Sequence, residues 1–257
     1  MIRINPKYRS WQSFWEHPEQ LMTNGTLIHR GRNELRVTEV EGMRVCVKQY
    51  GVPNSWRRFV YRFMRAPKGL RAWRNTQILR TAGFDSPEEL AYIQYNTLFG
   101  IDKSYYICLF QDGQTLYRWG DKPLPEIETD VKALAQQTAR LHEAGLLLCD
   151  YTPGNILQTE NGFAYVDTNR MRQGKVSVSR GLRNMAGLWL QPEAADLLAR
   201  TYAEKRGGDG EQAVKWMRRY RRVFWRRFVR RHGLKDCIIH RDPDGSAYKY
   251  PFNSTIQ

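Results

Sequence analysis

Three polar side chains near the middle of the sequence have the types and the spacing of a phosphoryl-transfer site. Asp150 lies in the segment CDYTPGNIL, Asn155 follows five residues later, and Asp167 follows after a further twelve. Phosphoryl transfer from ATP uses a carboxylate that accepts a proton from a hydroxyl, together with an amide and a second carboxylate that bind magnesium. We therefore interpret Asp150 as the catalytic base, and Asn155 and Asp167 as metal ligands.

Two predicted turns would bring these side chains together. Pro153-Gly154 favours a tight turn between Asp150 and Asn155. Asn161-Gly162, between the apolar runs NIL and FAYVD, predicts a β-hairpin that returns the chain so that Asp167 arrives beside Asn155. The alternative interpretation of each residue is an ordinary turn or helix-capping residue.

Two further candidates lie near the N-terminus and concern the nucleotide. Lys48 lies in VCVKQY, where an apolar strand would present it to the α- and β-phosphates of ATP. The alternative is a lysine that only points outwards from a strand. Gly31 and Arg32, in the segment RGRN, form a reduced phosphate loop in which a glycine lets the backbone approach a phosphate. An ordinary turn is the alternative there.

The elements that must position these residues change from strands to helices along the chain. The predicted elements are strands over 27–40 and 42–51 with a turn at Glu41-Gly42, a helix over 68–82, strands around Gly100, a helix over 127–142 and helices over 182–233. This order predicts an α+β protein with a sheet-rich first lobe and a helical second lobe. We expect an N-terminal extension over 1–20 (a short helix on the body), lobes over 21–113 and 114–235, and a loosely structured tail over 236–257.

Composition limits the partners and the compartment. The chain has 257 residues and a formal charge of +15, which predicts a polyanionic partner: nucleic acid, an anionic membrane surface or a phosphorylated glycan. The sequence contains no run of 18 apolar residues and starts without a secretory h-region, so we expect a cytoplasmic protein. The four scattered cysteines fit reduced thiols.

Two segments mix arginine with aromatic residues. The segment WMRRYRRVFWRRFVRR, from Trp216, predicts a helix whose packed stripe comprises Trp216, Tyr220, Val223, Phe224 and Phe228. Its arginines are then expected to face water or the phosphates of lipid headgroups. Residues 56–65, WRRFVYRFMR, repeat this mixture and are expected on the same membrane-facing side.

The chain also resembles a known family. The segments HRGRNELRV, VKQY, RAWRNTQILRTAG, NTLFG, LHEAGLLLCDYTPGNIL and VDTNRMR resemble those of the lipopolysaccharide core sugar kinases. These form the Kdo/heptose kinase family of the protein-kinase-like superfamily, and the likeness is to its Bacteroides-like members in particular. It spans roughly residues 25–235, and TPGNIL and DTNRMR are its most specific parts.

The resemblance implies a bilobal kinase with ATP and Mg²⁺ in the interlobe cleft. The implied reaction is phosphorylation of a Kdo or heptose hydroxyl on a lipid A–core acceptor. The implied place of action is the inner face of the cytoplasmic membrane, where the protein would be peripheral. We expect a monomer and no specific nucleic acid partner.

The sequence departs from the kinase pattern where the strand lysine needs an acidic partner. The helix over 68–82 has Arg74 and Asn75 where that acid should fall, so Glu88 or Glu89 are the substitutes. Two other functions stay open: a kinase-like enzyme acting on a protein or a soluble small molecule such as an aminoglycoside, and an inactive pseudokinase that binds an anionic partner.

Overall fold

The computed structural model describes residues 1–31, 33–51, 66–97, 100–232, 237–241 and 247–251. The chain divides into two compact units. Unit 1 comprises Met1–Gln111 together with Asp167–Arg170, and unit 2 comprises Asp112–Val166 together with Met171–Gln257.

Unit 1 is built on a six-stranded antiparallel sheet of order β1-β5-β6-β4-β3-β2. Its strands are β1 (Ile2–Ile4), β2 (Thr26–Arg30), β3 (Asn33–Val40), β4 (Met43–Tyr50), β5 (Glu89–Thr97) and β6 (Gly100–Leu109). The predicted turn at Glu41-Gly42 joins β3 to β4, and both residues have positive φ, of 51° and 73°. A tight hairpin turn needs this left-handed backbone conformation. The prediction of strands over 27–40 and 42–51 is confirmed.

Alternation along β4 gives the sheet two apolar faces. Val45 and Val47 are fully buried on one face, in a cluster that also contains Trp15. Tyr50 points to the other face and packs in a cluster with Trp73. Because successive side chains of a strand alternate, Lys48 lies on the same face as Tyr50.

The first residues of the chain contain more structure than the predicted short helix. β1 pairs with β5, and Ile2 is opposite Ile93. Helices α1 (Gln12–Glu16) and α2 (Pro18–Asn24) follow. Burial of the Trp15 side chain fixes this segment to the sheet of unit 1.

Helix α3 (Lys68–Thr81) covers the second face of the sheet. Pro67 precedes it and Gly83, with φ of +82°, follows it, as the predicted helix over 68–82 requires. Its buried side chains include Leu70 and Trp73. The short 3₁₀ turn Thr168–Arg170 also packs on this helix.

Unit 2 contains the long helices. They are α4 (Leu124–Glu143), α5 (Val178–Met185), α6 (Pro192–Lys205) and α7 (Gly210–His232). The predicted helix over 127–142 lies within α4, and Gly145, with φ of +73°, follows its end. Of the helices in the described residues, none is both long and apolar enough to span a bilayer.

Short antiparallel strands complete unit 2. They are β7 (Gln114–Thr115), β8 (Leu146–Leu148), β9 (Ile156–Thr159), β10 (Gly162–Tyr165), β11 (Met171–Gln173), β12 (Cys237–Arg241) and β13 (Ala247–Pro251). The predicted Asn161-Gly162 hairpin is confirmed, because β9 pairs with β10 and Gly162 is opposite Thr159. The prediction of a loosely structured tail is wrong for its described residues, since β12 pairs with β13 over five residues.

The buried stripe of α7 differs from the predicted one. Val223 is 42% exposed, whereas Met217, Arg221 and Trp225 are buried. The Arg221 guanidinium is buried because it donates hydrogen bonds to the carbonyls of Leu188 and Leu190, at 3.2 and 2.6 Å. Phe224 and Phe228 of the predicted stripe pack against Trp225, so the prediction is wrong at Val223 and in its omission of Arg221. The similar segment over 56–65 lies outside the described residues.

Candidate active site

A tight loop in unit 2 carries Asp150. The loop follows β8, where Leu148 pairs with Met171 of β11. The Thr152 amide donates to the Asp150 carbonyl and the Asn155 amide donates to the Thr152 carbonyl, both at 3.0 Å. These backbone bonds make the turn that Pro153-Gly154 predicted, and they bring Asp150 and Asn155 onto one loop.

The side chain of Asn155 is oriented by that same loop. Its Nδ2 donates to the Asp150 carbonyl at 3.0 Å. Because a carbonyl only accepts hydrogen bonds, the amide nitrogen must face it. This bond uses the nitrogen and leaves Oδ1 as the acceptor, which is the atom a metal ligand needs.

Packing fixes the loop from two sides. The Tyr151 hydroxyl bonds the Thr138 hydroxyl of α4 at 2.5 Å, and both side chains are buried. Gly154 lies so close to Tyr117 that a Cβ at this position would be 2.9 Å from the ring. A glycine is therefore required where the backbone approaches the ring this closely. From the sequence, Gly154 was predicted only as a turn residue.

A buried polar chain supports the strand that leads into the loop. Asn184 of α5 donates to the Leu148 carbonyl at 2.9 Å. His142, at the end of α4, bonds the Tyr202 hydroxyl through Nδ1 at 2.9 Å. Burial lowers the pKa of His142 to about 4, the Asn184 side chain partly opposes this, and Arg206 and Arg180 lower it further. His142 is therefore a neutral structural group at neutral pH.

The hairpin returns the chain to the Asp150 loop. Tyr165 of β10 is opposite Ile156 of β9, and the Val166 amide donates to the Asn155 carbonyl at 3.0 Å. Asp167 is the next residue in the chain. The predicted return of the chain to Asn155 is thus confirmed up to Val166.

Asp167 itself belongs to unit 1, where it meets Lys48. The Lys48 Nζ lies 2.9 Å from the Asp167 Oδ1. The lysine side chain is 12% exposed and the aspartate side chain 31%. Lys48 also lies over the Tyr50 ring, at 5.5 Å, and Asn169 donates a hydrogen bond to the Asp167 carboxylate. Two candidates far apart in sequence therefore form one charged pair.

The acidic partner of Lys48 differs from the two glutamates that the sequence offered as substitutes. Within the described residues, Glu88 pairs with Lys7 and Arg80, at 3.3 and 3.4 Å. Glu89 is buried, and burial raises its pKa. The carboxylate that pairs with Lys48 is Asp167, and the 3₁₀ turn after it packs against α3.

Two residues of α3 that bear on this pair were not predicted as functional. Asn75 Nδ2 donates to the Thr168 carbonyl at 2.7 Å, and the Thr76 and Thr168 hydroxyls are 3.1 Å apart. Thr168 directly follows Asp167. The only signal in the sequence was the presence of Asn75 where an acid was expected.

The predicted phosphate-binding residues are described in part. Gly31 follows β2 at an exposed hairpin end, where its amide donates to the Asn33 carbonyl at 3.0 Å. Asn33 lies two residues before Leu35, which is opposite Lys48 in the sheet, so this hairpin end extends about 7 Å beyond Lys48. Arg32 lies outside the described residues, and the role of both residues stays a prediction.

The predicted metal ligands suit magnesium. Among the described residues there is no group of three His, Cys, Asp or Glu side chains of the kind that encloses a metal ion. Magnesium usually binds through one or two carboxylates and completes its shell with water and substrate phosphates. A carboxylate at Asp167 and an amide oxygen at Asn155 fit that chemistry.

The comparison with solved structures identifies the fold. No protein-family model and no curated protein matches the chain. The solved structure of WaaP in complex with acyl carrier protein superposes with a TM-score of 0.54 at 18% identity, over 87% of this chain and 98% of that chain. WaaP is a lipopolysaccharide core heptose kinase. The protein has a protein-kinase-like fold.

The predicted fold class and the resemblance to core sugar kinases are thus confirmed at the level of fold. A second similar structure is the Rio2 kinase–ADP/Mg²⁺–phosphoaspartate complex from Chaetomium thermophilum, with a TM-score of 0.43 and 14% identity over 80% of this chain and 66% of that chain. The fold assignment rests on the first comparison. At these identities the likeness concerns the fold, and the substrate is a separate question.

Proposed function

We propose that this protein transfers the γ-phosphoryl group of ATP, with Mg²⁺, to a Kdo or heptose hydroxyl of a lipopolysaccharide lipid A–core acceptor. The observation that carries the proposal is the 2.9 Å contact between Lys48 and Asp167. Together they supply the phosphate-binding cation and the metal-binding anion of a kinase.

Each candidate residue has one role in this reaction. Asp150 accepts the proton of the acceptor hydroxyl as the new O–P bond forms and the bond to the ADP oxygen breaks. Lys48 holds the α- and β-phosphates. Asp167 and the Oδ1 of Asn155 hold magnesium, which when bound neutralises charge that develops on the phosphate oxygens. The Gly31 backbone and Arg32 contact the phosphates.

The charge of the chain supports an anionic acceptor at a membrane surface. Exposed cations recur at steps of three and four residues along α7, and they comprise Lys215, Arg219, Arg222, Arg226 and Arg230. At these steps they share one face of the helix. A row of this kind suits the phosphates of a core glycolipid and of the anionic leaflet that contains it.

An acceptor assay tests the reaction. We expect phosphorylated product, detected by mass, when the protein receives ATP, Mg²⁺ and a Kdo- or heptose-containing core acceptor. The change Asp150→Asn should lower turnover by roughly 10²- to 10⁴-fold, the usual contribution of a general base. Asp121→Asn, an exposed change in the same unit, is the matched control and should retain turnover.

The result that contradicts the proposal is wild-type turnover no higher than that of Asp150→Asn. Product from a protein or an aminoglycoside, but from no core sugar, would retain the kinase and replace the acceptor. ATP–Mg²⁺ binding without any product would identify a pseudokinase.

Vesicle binding tests the membrane partner separately. We expect binding to phosphatidylglycerol vesicles, but not to phosphatidylcholine vesicles, and weaker binding as salt rises. Changing Arg222, Arg226 and Arg230 together to Gln should weaken binding by about 100-fold, since each contributes on the order of 1 kcal/mol. Equal binding by this variant and the wild type would contradict the role of α7.

A further inference from the structure

The backbone at Asp167 has a conformation that its neighbours must maintain. Asp167 has φ of +53°, in the left-handed region that side chains other than Gly, Asn and Asp rarely adopt. Such a residue persists when the surrounding structure fixes it. The carboxylate reaches Lys48 from this backbone position, so whatever fixes the backbone also fixes the carboxylate.

The contacts that fix it converge on the next residue, Thr168. Asn75 donates to the Thr168 carbonyl at 2.7 Å, and the Thr168 hydroxyl donates to the Ala72 carbonyl at 3.3 Å. The Thr168 hydroxyl also lies 3.1 Å from the Thr76 hydroxyl. Three residues of one helix therefore hold one threonine.

The hydrogen bonds between these hydroxyls form a chain in which each hydroxyl donates to the next. The Ala72 carbonyl only accepts, so Thr168 uses its proton there and must accept from Thr76. Thr76 then accepts from the Tyr106 hydroxyl, 3.1 Å away. Thr76 and Thr168 are 2% and 3% exposed. A buried chain of this kind loses more than one bond when a member is removed, because its neighbours lack water as a substitute.

This chain lies directly beside the charged pair. Tyr106 of β6 is opposite Lys48 of β4 in the sheet. The hydrogen-bond network therefore starts at Tyr106, beside Lys48, and passes through Thr76 of α3. It ends at Thr168, the residue after Asp167. In the described residues α3 places no carboxylate on Lys48, so its connection to the pair is through neutral hydrogen bonds.

We propose that Asn75 and Thr76 are positioning residues, which hold Thr168 and thereby set the Asp167 carboxylate for metal binding. Helix α3 acts on the site through these hydrogen bonds where an acidic side chain was expected. The inference rests on the proposed function only in its assumption that Asp167 binds the metal.

The test compares Thr76→Val with Thr76→Ser. Valine keeps the shape of threonine and removes the hydroxyl, whereas serine keeps the hydroxyl. Thr81→Val, an exposed change on the same helix, controls for the substitution itself. The measurements are the affinity for ATP with and without Mg²⁺, and the hydrogen exchange of the amides of residues 168–170. Thermal unfolding confirms that each variant is folded.

We expect Thr76→Val to raise the Mg²⁺ concentration needed for half-maximal ATP binding by about 3- to 10-fold, as loss of a buried hydrogen bond predicts. Its affinity for ATP without Mg²⁺ should stay unchanged, and exchange of amides 168–170 should become about 10-fold faster. Thr76→Ser and Thr81→Val should match the wild type. If Thr76→Val does not fold, the half-buried Asn75→Ala takes its place with the same expectations.

Two results would overturn the inference. One is a folded Thr76→Val whose magnesium dependence and amide exchange equal those of the wild type. The other is a variant that loses ATP affinity equally with and without Mg²⁺, which indicates general damage. If the wild type binds no ATP with Mg²⁺, the proposed function fails, and the exchange measurement alone then decides whether Thr76 fixes the segment after Asp167.

Discussion

The Asp150 loop of unit 2 and the Lys48–Asp167 pair of unit 1 are built in different ways. Asp150 and Asn155 are five residues apart, and hydrogen bonds within the loop hold the turn and orient the Asn155 side chain. Lys48 and Asp167 are more than a hundred residues apart, and a strand, a helix and a turn are needed to bring them to 2.9 Å.

This difference teaches which changes each region tolerates. A local loop is fixed by its own turn residues and by the side chains against which it packs, so its weak points are steric. A remote pair depends on charge and on hydrogen bonds between separate elements. Its weak points are the side chains that carry the charge.

The largest expected effect concerns the remote pair. Lys48→Met and Asp167→Asn should each lower turnover by about 10²- to 10³-fold, the usual cost of one electrostatic contact to the reacting group. Because the two side chains touch, the double variant should lose less than the product of the single losses. Turnover of the four proteins in the acceptor assay measures this coupling.

Lys103→Met, an exposed lysine on β6, is the matched control and should leave turnover unchanged. If the losses of the two single variants simply multiply in the double variant, Lys48 and Asp167 act independently. That result would contradict their description as one charged pair.

The next effect concerns the support of the Asp150 loop and depends on pH. The pKa of His142 is about 4 in the folded protein, below the ordinary value of about 6.5, because the ring is buried. As pH falls below about 6.5 the unfolded chain binds a proton that the folded chain does not. The free energy of unfolding should therefore fall by about 3 kcal/mol between pH 6.5 and pH 4.

Denaturant unfolding at several pH values measures this effect. His142→Gln should remove that part of the pH dependence, whereas His29→Gln in unit 1 should retain it. An unchanged slope in His142→Gln would assign the pH dependence to other groups.

The smallest of the three effects tests the steric basis of the loop. Gly154→Ala places a Cβ 2.9 Å from the Tyr117 ring, which packs edge-on against Trp189 and has little room to move. We expect a loss of about 1–3 kcal/mol in the free energy of unfolding. Gly208→Ala meets its nearest atom at an ordinary 3.4 Å, and it should stay within about 0.5 kcal/mol. Equal melting of the two variants would contradict the close packing of the loop.

Local chemistry explains which parts of the fold were predictable. The turns at Glu41-Gly42 and Asn161-Gly162 and the end of α3 at Gly83 follow from residues that tolerate or favour the required φ. The predicted stripe of α7 omitted Arg221, because a buried arginine is stable only when carbonyls elsewhere in the unit accept its hydrogen bonds, and periodicity does not contain that information.

The candidate site divides in the same way. Residue type and spacing made Lys48, Asp150, Asn155 and Asp167 the candidates, since phosphoryl transfer restricts the side chains that serve it. The acidic partner of Lys48 and the contacts of Asn75 and Thr76 with Thr168 were not predicted. They depend on the approach of a turn to a helix more than ninety residues away in sequence.

The sequence by itself determined the chemistry available to this protein, because reactive groups and turn residues are properties of single positions and short segments. Only the tertiary structure decided which charges meet and what holds them. Such contacts depend on the packing of elements far apart in the chain, and a lysine or a threonine has the same local signature whether it faces water or a buried partner.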